Sequence, residues 1–426
     1  MKHVKLSRKL IILFCGLCLS ATIFAQSQQS DTSRIGILEG QTSDLENTIK
    51  KLQRFKVSGY IQAQYQYGEK DASLKVGAGN ENAEKSFHRI GIRRGRIKFA
   101  YEGNIALGVF QLDITEKGVG IKDAYFSIKD PWIKTFSLKA GVFDRPFGYE
   151  ISYSSSRRES PERSTVFQTL FPDERDLGLM LTIQAPNTSA WNFLKLEAGL
   201  FAGNGIKLET DNRKDFITHL SAEKKIGKSV ILGGGFSYYN GGVYQGSDNV
   251  YTMEEKSFVI DSINNKGKFA RRQYFGIDAR ISVKSIIGTT QLRGEYIMGQ
   301  QPGSDKSSKS PNASTLPTND TYIRNFRGWY IMFIQDIWKL PISVVAKYDM
   351  YNPNYKITGD EIGLNNTTSA DLAQSTLGLG LLWNATKDIR LQAYYEFNTN
   401  EKSQNVSGYE KDRKNNVFTF RLQYKF

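Results

Sequence analysis

The sequence predicts an all-β chain: a 16-stranded antiparallel transmembrane β-barrel with a short N-terminal helical or coiled-coil segment ahead of it. Three observations carry that prediction. Segments in which apolar and polar residues alternate one for one recur from Lys56 to the carboxy terminus, the period of a strand with one apolar and one polar face. The connections between these segments alternate between long and short. The last segment ends on an aromatic residue, Phe426. Composition agrees: the 426 residues are only 39% hydrophobic yet 12% aromatic, as expected when half of each strand faces water. No stretch after residue 25 is long and apolar enough for a membrane helix, which needs about 20 such residues. Aromatic and β-branched residues recur throughout, which argues against disorder.

The first element is an address. Lys2, Lys5, Arg8 and Lys9 precede the apolar run from Leu10 to Leu19, and a small residue, Ala25, closes the segment. Residues 1–25 therefore read as a secretory signal peptide, too short to span a bilayer. Neither Cys15 nor Cys18 lies in a lipoprotein context, since Phe14 and Leu17 stand where a small residue is expected. Cleavage leaves a chain without cysteine, which excludes a disulfide scaffold or a cysteine-bound zinc. It also removes four basic residues and no acidic one, taking the net charge from +14 to +10. An exported chain does not meet the genome, so nucleic acid is excluded as the partner of that charge.

Residues 31–55 form the second element. Ile35, Leu38, Leu45, Ile49 and Leu52, with Thr42 in the remaining slot, occupy a and d of a heptad. So short a segment is marginal alone. It reads either as an oligomerising periplasmic stalk or as an isolated amphipathic linker helix.

From 56 to 426 the period is 2. In the first strand Val57, Ile61, Ala63, Tyr65 and Tyr67 share one face, and Ser58, Tyr60, Gln62, Gln64 and Gln66 the other. Leu177, Leu179, Leu181 and Ile183 repeat the pattern, as do Ile389, Leu391, Ala393, Tyr395 and Phe397. Long connections are expected at about 68–87, 115–120, 146–174, 203–214, 240–267, 299–325, 352–373 and 398–414, with seven tight turns between them. Eight long and seven short connections require sixteen strands. Short turns on one side and long loops on the other are the habit of outer-membrane barrels, whose apolar side chains meet lipid and whose polar ones face the lumen. At sixteen strands the lumen is expected to hold water. In the last strand Phe418, Phe420, Leu422, Tyr424 and Phe426 share one face, and the aromatic end resembles the assembly signal of such barrels.

The lumen is expected to be basic. Arg94, Arg96 and Lys98 share a parity in the second strand, and an arginine on the lipid face would cost about 2–4 kcal/mol. They are assigned to the inside, with Arg93 at the rim or at an irregularity around Gly95. Guanidinium forks bind oxyanions in bidentate fashion; the plainer alternative is that these charges balance carboxylates on the opposite wall. The third long loop, 146–174, is rich in proline and paired charges and is expected to fold inward and narrow the pore. From Arg145 to Asp176 it carries five arginines against six carboxylates, so it does not by itself make an anion trap.

Several ordered motifs resemble one family. Arg93–Gly103 (RRGRIKFAYEG), Lys122-Asp123-Ala124-Tyr125, Gly141–Glu150 (GVFDRPFGYE), Pro161-Glu162-Arg163-Ser164 and Arg175–Gly178 look like the phosphate-selective porin O and P family, over about 56–426. The resemblance implies a sixteen-stranded trimeric porin with an inward third loop and an anion path lined by arginine and lysine. It makes Arg94, Arg96 and Lys98 wall candidates, Arg157, Arg158 and Arg163 constriction candidates, and adds Arg145 at the start of the loop. Lys139, on the strand before it, stands as the candidate central lysine.

Enzyme chemistry is not expected. After cleavage only His88 and His219 remain, no cysteine accompanies them, and neither is paired with a serine in the sequence. No metal-ligand spacing, calcium-loop pattern or nucleotide-binding loop occurs, so no cofactor is expected and transport would be passive. The expected function is an outer-membrane channel for small hydrophilic solutes, anion-preferring and selective for phosphate or polyphosphate. Its expected partners are small anionic solutes, outer-membrane lipid and two further copies in a homotrimer. The alternatives are a general diffusion porin without anion specificity and a structural or adhesive barrel.

Overall fold

A computed structural model describes Arg34 and residues 36–426. The signal peptide and the start of the heptad, including Ile35, lie outside the described residues. Residues 36–53 form helix α1, on which Leu38, Leu45, Ile49 and Leu52 are all exposed. Thr42, the polar member of the seam, turns its hydroxyl back to donate to the Leu38 carbonyl at 2.8 Å. The helix and the chain from Val57 onward are two separate compact units.

The second unit is a closed antiparallel barrel. Its first strand, β1 (Phe55–Gly68), pairs with its last, β18 (Val417–Lys425), in a register running from Tyr60 opposite Lys425 to Gly68 opposite Val417. Beyond that ladder Gly59 and Phe426 exchange backbone hydrogen bonds of 2.9 and 3.0 Å. Closure leaves no unpaired edge, the condition a sheet must meet in lipid. Sixteen strands make the wall. Two more, β10 (Val250–Glu254) and β11 (Ser257–Asp261), form a hairpin inside the fifth long connection.

The alternation decides which face is wet. Ile61, Tyr65, Leu177, Leu179, Leu181, Phe420, Leu422 and Tyr424 are exposed on the outer surface, while Gln62, Gln64, Gln66, Thr419, Arg421 and Gln423 are buried on the inner one. Apolar side chains outward and polar ones inward is the pattern a bilayer imposes.

Two expectations need correction. The segment 115–120 is a two-residue turn, not a long loop. Strand β3 (Ala106–Thr115) pairs directly into β4 (Gly118–Lys129), with Thr115 opposite Gly118, and Gly118 at φ +115° permits the immediate reversal. The lumen, moreover, is not simply water-filled. Loop 3, residues 145–174, connects β5 (Phe136–Asp144) to β6 (Arg175–Gln184) and is packed inside the barrel. Its Phe147, Ile151, Val166, Phe167, Leu170 and Phe171 are fully buried in one cluster with inward wall residues such as Tyr239, Tyr274, Phe326 and Tyr330. The wall makes room for them. A Cβ at Gly276 would lie 2.7 Å from the Phe147 ring, and one at Gly328 would lie 2.7 Å from Val166.

Candidate functional site

Loop 3 begins by hanging on one buried carboxylate. Glu295, on β13 (Gly288–Gly303), accepts the backbone N–H groups of Tyr149 and Glu150 at 2.8 and 2.7 Å and the Tyr330 hydroxyl at 2.7 Å. Gly148 next to it has φ +61° and donates to Ser237 Oγ at 2.8 Å. A short helix, α2 (Thr165–Leu170), then seats Val166, Phe167 and Leu170 against the wall. Apolar contact holds one side of the loop and ion pairs hold the other.

Those ion pairs decide what the predicted cations do. Arg94, 4% exposed, donates to Glu162 at 2.8 Å and to Gln62 at 3.1 Å. Arg93 also reaches Glu162, with two bonds of 2.8 and 2.9 Å. Two consecutive residues of β2 (Phe87–Glu102) thus serve one inward carboxylate, just before the ladder to β3 begins at Arg96. Arg421 completes the hub at 3.1 Å. Arg96 donates to Ser155 Oγ at 2.9 Å and lies 3.5 Å from Asp113. Arg163 pairs with Glu174 and donates to the carbonyls of Glu150 and Ile151. Arg145 is buried over the Phe171 ring and donates to the Pro172 carbonyl at 3.2 Å.

Arg94, Arg96, Arg145 and Arg163 are therefore buried braces of the loop, each held by a carboxylate, a hydroxyl or a carbonyl. Gln62, Gln64 and Gln392, whose polar inward faces favoured an open channel, are buried as well. Gln62 donates to the Ser155 carbonyl at 3.1 Å, Gln64 holds Arg421, and Gln392 donates to the Glu159 carbonyl. The inward glycine Gly141 is half-buried at φ +123°. The balancing of wall charge by carboxylates is what these arginines do.

Three further carboxylates of loop 3 are also paired, while Asp173 accepts from Asn312 at 2.8 Å. Glu150 meets Lys347 at 3.0 Å, Glu159 meets Arg293, and Glu174 takes Lys122 at 2.6 Å as well as Arg163. Burial alone would raise these carboxyls. At Glu162 the charges of Arg93, Arg94 and Arg421 override it and hold the pKa well below the usual carboxylate range. Arg163, Lys122 and Arg175 do the same at Glu174. At Glu150 it is Lys347 and Arg158 that lower the value against burial.

Among the cations of the described residues that form no ion pair, five stand beside loop 3 or in the space next to it: Lys75, Lys98, Lys139, Arg157 and Lys309. Lys98 and Lys139 are half-buried on the inner wall, and the Lys139 ammonium lies 5.0 and 5.1 Å from the Tyr125 and Phe143 rings. Arg157 is exposed on the loop itself. Lys75 and Lys309 line a cavity of about 440 Å³ at the long-loop end, with Arg163, Gln168, Glu396 and Asn398. Lys309, Glu162, Arg163 and Gln168 also border an adjoining space of about 170 Å³ that reaches Arg93 and Glu174. The two spaces form a vestibule above loop 3.

Of the predicted residues, the structure thus gathers Arg94, Arg96, Arg145, Arg158 and Arg163 around loop 3 as buried groups, and leaves Lys98, Lys139 and Arg157 unpaired. Sequence reasoning missed Arg293, Lys347 and Arg421 as loop anchors, although their inward parity marked them. It also missed Lys75 and Lys309, which lie in loops where no periodicity points to them. His219 lies opposite Ser237 on the next strand. Its Nε2 is bonded to Asp278 at 3.0 Å and Ser237 Oγ accepts from Gly148, so both are engaged in support of the wall and loop.

A strand wall closed on itself is matched among solved structures. The chain is similar to the outer membrane channel DcaP of Acinetobacter baumannii, at 14% identity and TM-score 0.52, over 87% of this chain and 97% of that one. It is similar to Salmonella typhi OmpF at 11% identity and TM-score 0.54, over 87% and 97%. It is similar also to the trimer form of OmpT of Vibrio cholerae at 10% identity and TM-score 0.52, over 87% and 99%. The fold is that of an outer-membrane porin. It fits an outer-membrane location and the form of a channel. No protein-family model and no curated protein matches the sequence.

Proposed function

We propose that the protein is a passive outer-membrane channel for small hydrophilic solutes, that it prefers anions, and that it works as a homotrimer. The observation that carries the preference is the set of unpaired cations on either side of loop 3. Lys75 and Lys309 stand in the vestibule above it; Lys98, Lys139 and Arg157 lie on the tight-turn side. An unpaired ammonium in a confined, low-dielectric passage raises the local concentration of anions, and several weak sites in series allow passage rather than capture. Phosphate is the leading solute, on the strength of the sequence resemblance and of lysine as a point-charge phosphate binder.

A second reading, a general diffusion porin, is favoured by the pairing of Arg94, Arg96 and Arg163 with carboxylates and polar groups, which offsets their charge. For the trimer, the support is the seam on α1: four exposed apolar residues at heptad spacing fit a partner helix with the same seam. Deleting residues 31–54 should lower the heat resistance of oligomers without closing the pore.

The deciding experiment is a planar bilayer with the mature protein in a potassium chloride gradient. Anion selectivity that falls in Lys98→Glu and Lys139→Glu, with chloride current blocked by low phosphate, is the expected result. An unselective wild-type channel would leave the general porin standing.

A further inference from the structure

One guanidinium of loop 3 is unmatched. Arg158 is 1% exposed, and Nε and both terminal nitrogens have no hydrogen-bond partner. The two carboxylates whose charge reaches it, Glu162 and Glu150, are already engaged. Glu162 Oε1 accepts from Arg93 and Arg421, and its Oε2 from Arg93 and Arg94. Glu150 Oε1 accepts from Lys347 and its Oε2 from the Ser164 backbone N–H. Two further buried donors attached to these networks are also unpartnered: Gln64 Nε2, whose Oε1 holds Arg421, and Ser164 Oγ.

A guanidinium does not shed its proton inside a protein, and a buried charge is retained only when it is paired or solvated by hydrogen bonds. Arg163 and Arg94 add positive potential at the same place, so that burial first and these two charges second push the Arg158 pKa well down. No acceptor among the described residues meets the Arg158 guanidinium.

We propose that loop 3 holds a small monovalent anion, a halide, against the Arg158 guanidinium, as a fixed counter-ion of the folded loop. Glu162 and Glu150 nearby oppose a doubly charged ligand. The depth of Arg158 sets this anion apart from solute in transit, so the assignment is independent of whether the channel selects anions.

The test uses the full mature protein. Crystals grown in bromide should show an anomalous peak within hydrogen-bond distance of the Arg158 guanidinium, absent in crystals of Arg158→Gln. The melting midpoint of the wild type should be higher in bromide or chloride than in gluconate at equal ionic strength, and that difference should vanish in the variant. No peak in the wild type, a peak that survives in Arg158→Gln as an adventitious ion would, or equal midpoints in halide and gluconate would each overturn the proposal. Should Arg158→Gln fail to fold, the wild-type crystals and the wild-type salt comparison decide on their own.

Discussion

Glu150 in loop 3 and Lys347 on β15 (Ile342–Asn352) are 197 positions apart in sequence and meet at 3.0 Å, both almost fully buried. The same carboxylate takes the N–H of Ser164, the residue before α2. One pair therefore ties both ends of the loop's central excursion to the far wall. Removing one partner of a buried pair strands the other and typically costs about 3–5 kcal/mol. Lys347→Ala should destabilise the docked loop by that order. The double variant Lys347→Met with Glu150→Gln should recover much of the loss. Thermal unfolding of the three proteins checks this, and a double variant no better than the single would sink it.

Glu162 makes ion pairs with three guanidiniums at once. In Glu162→Gln the shape is kept and the charge is gone, leaving Arg93, Arg94 and Arg421 to act on the vestibule. Reversal potentials should move toward stronger anion selectivity with the barrel still assembled. An unchanged or opposite shift would show that the hub does not reach the permeation path.

The depressed carboxyls set an acid limit. Glu150, Glu162 and Glu174 have folded pKa values below their unfolded ones, so each contributes fully above about 4.3 and loses its contribution as pH falls through the folded value. The protection that these three groups lend the loop 3 amides should be lost only as pH falls below about 4.3, read as a drop in hydrogen-exchange protection around Glu162 and Glu174. A decline that begins near pH 6 would contradict the assignment.

Gly148 has a second reason to be glycine besides its positive φ. A Cβ there would lie 2.0 Å from Glu295 Oε2, the oxygen that accepts the Tyr149 N–H. Gly148→Ala should cost at least about 1–2 kcal/mol from the left-handed backbone alone, and more from the displaced carboxylate. Comparison with Gly79→Ala, where a Cβ meets nothing within 4 Å, separates the local effect from a general loss of flexibility in loops.

The barrel was legible because its determinant is local. The period-2 pattern in Val57–Tyr67 or Phe418–Phe426 can be read from the residues themselves, and the bilayer forces the outcome. The site was legible by residue type but not by role. Parity placed Arg94 and Arg96 inside, yet whether an inward arginine meets solute or a carboxylate depends on Glu162 and Ser155, some 60 positions away and on a loop without periodicity. The aromatic packing of loop 3 was hidden for the same reason. Tyr239, Tyr274 and Phe326 occupy inward positions where alternation predicts polar residues, and only the buried face of the loop explains them.

The unpaired lysines have a bearing on how such a channel can change. Lys98, Lys139 and Lys309 make no ion pair, so altering them leaves no charge stranded, whereas altering Arg94 or Glu162 strands several. Variation in what the channel admits is thus free to accumulate at positions the scaffold does not lean on. On the proposed function, a lineage could retune its diet one lysine at a time while the braced loop stays as it is.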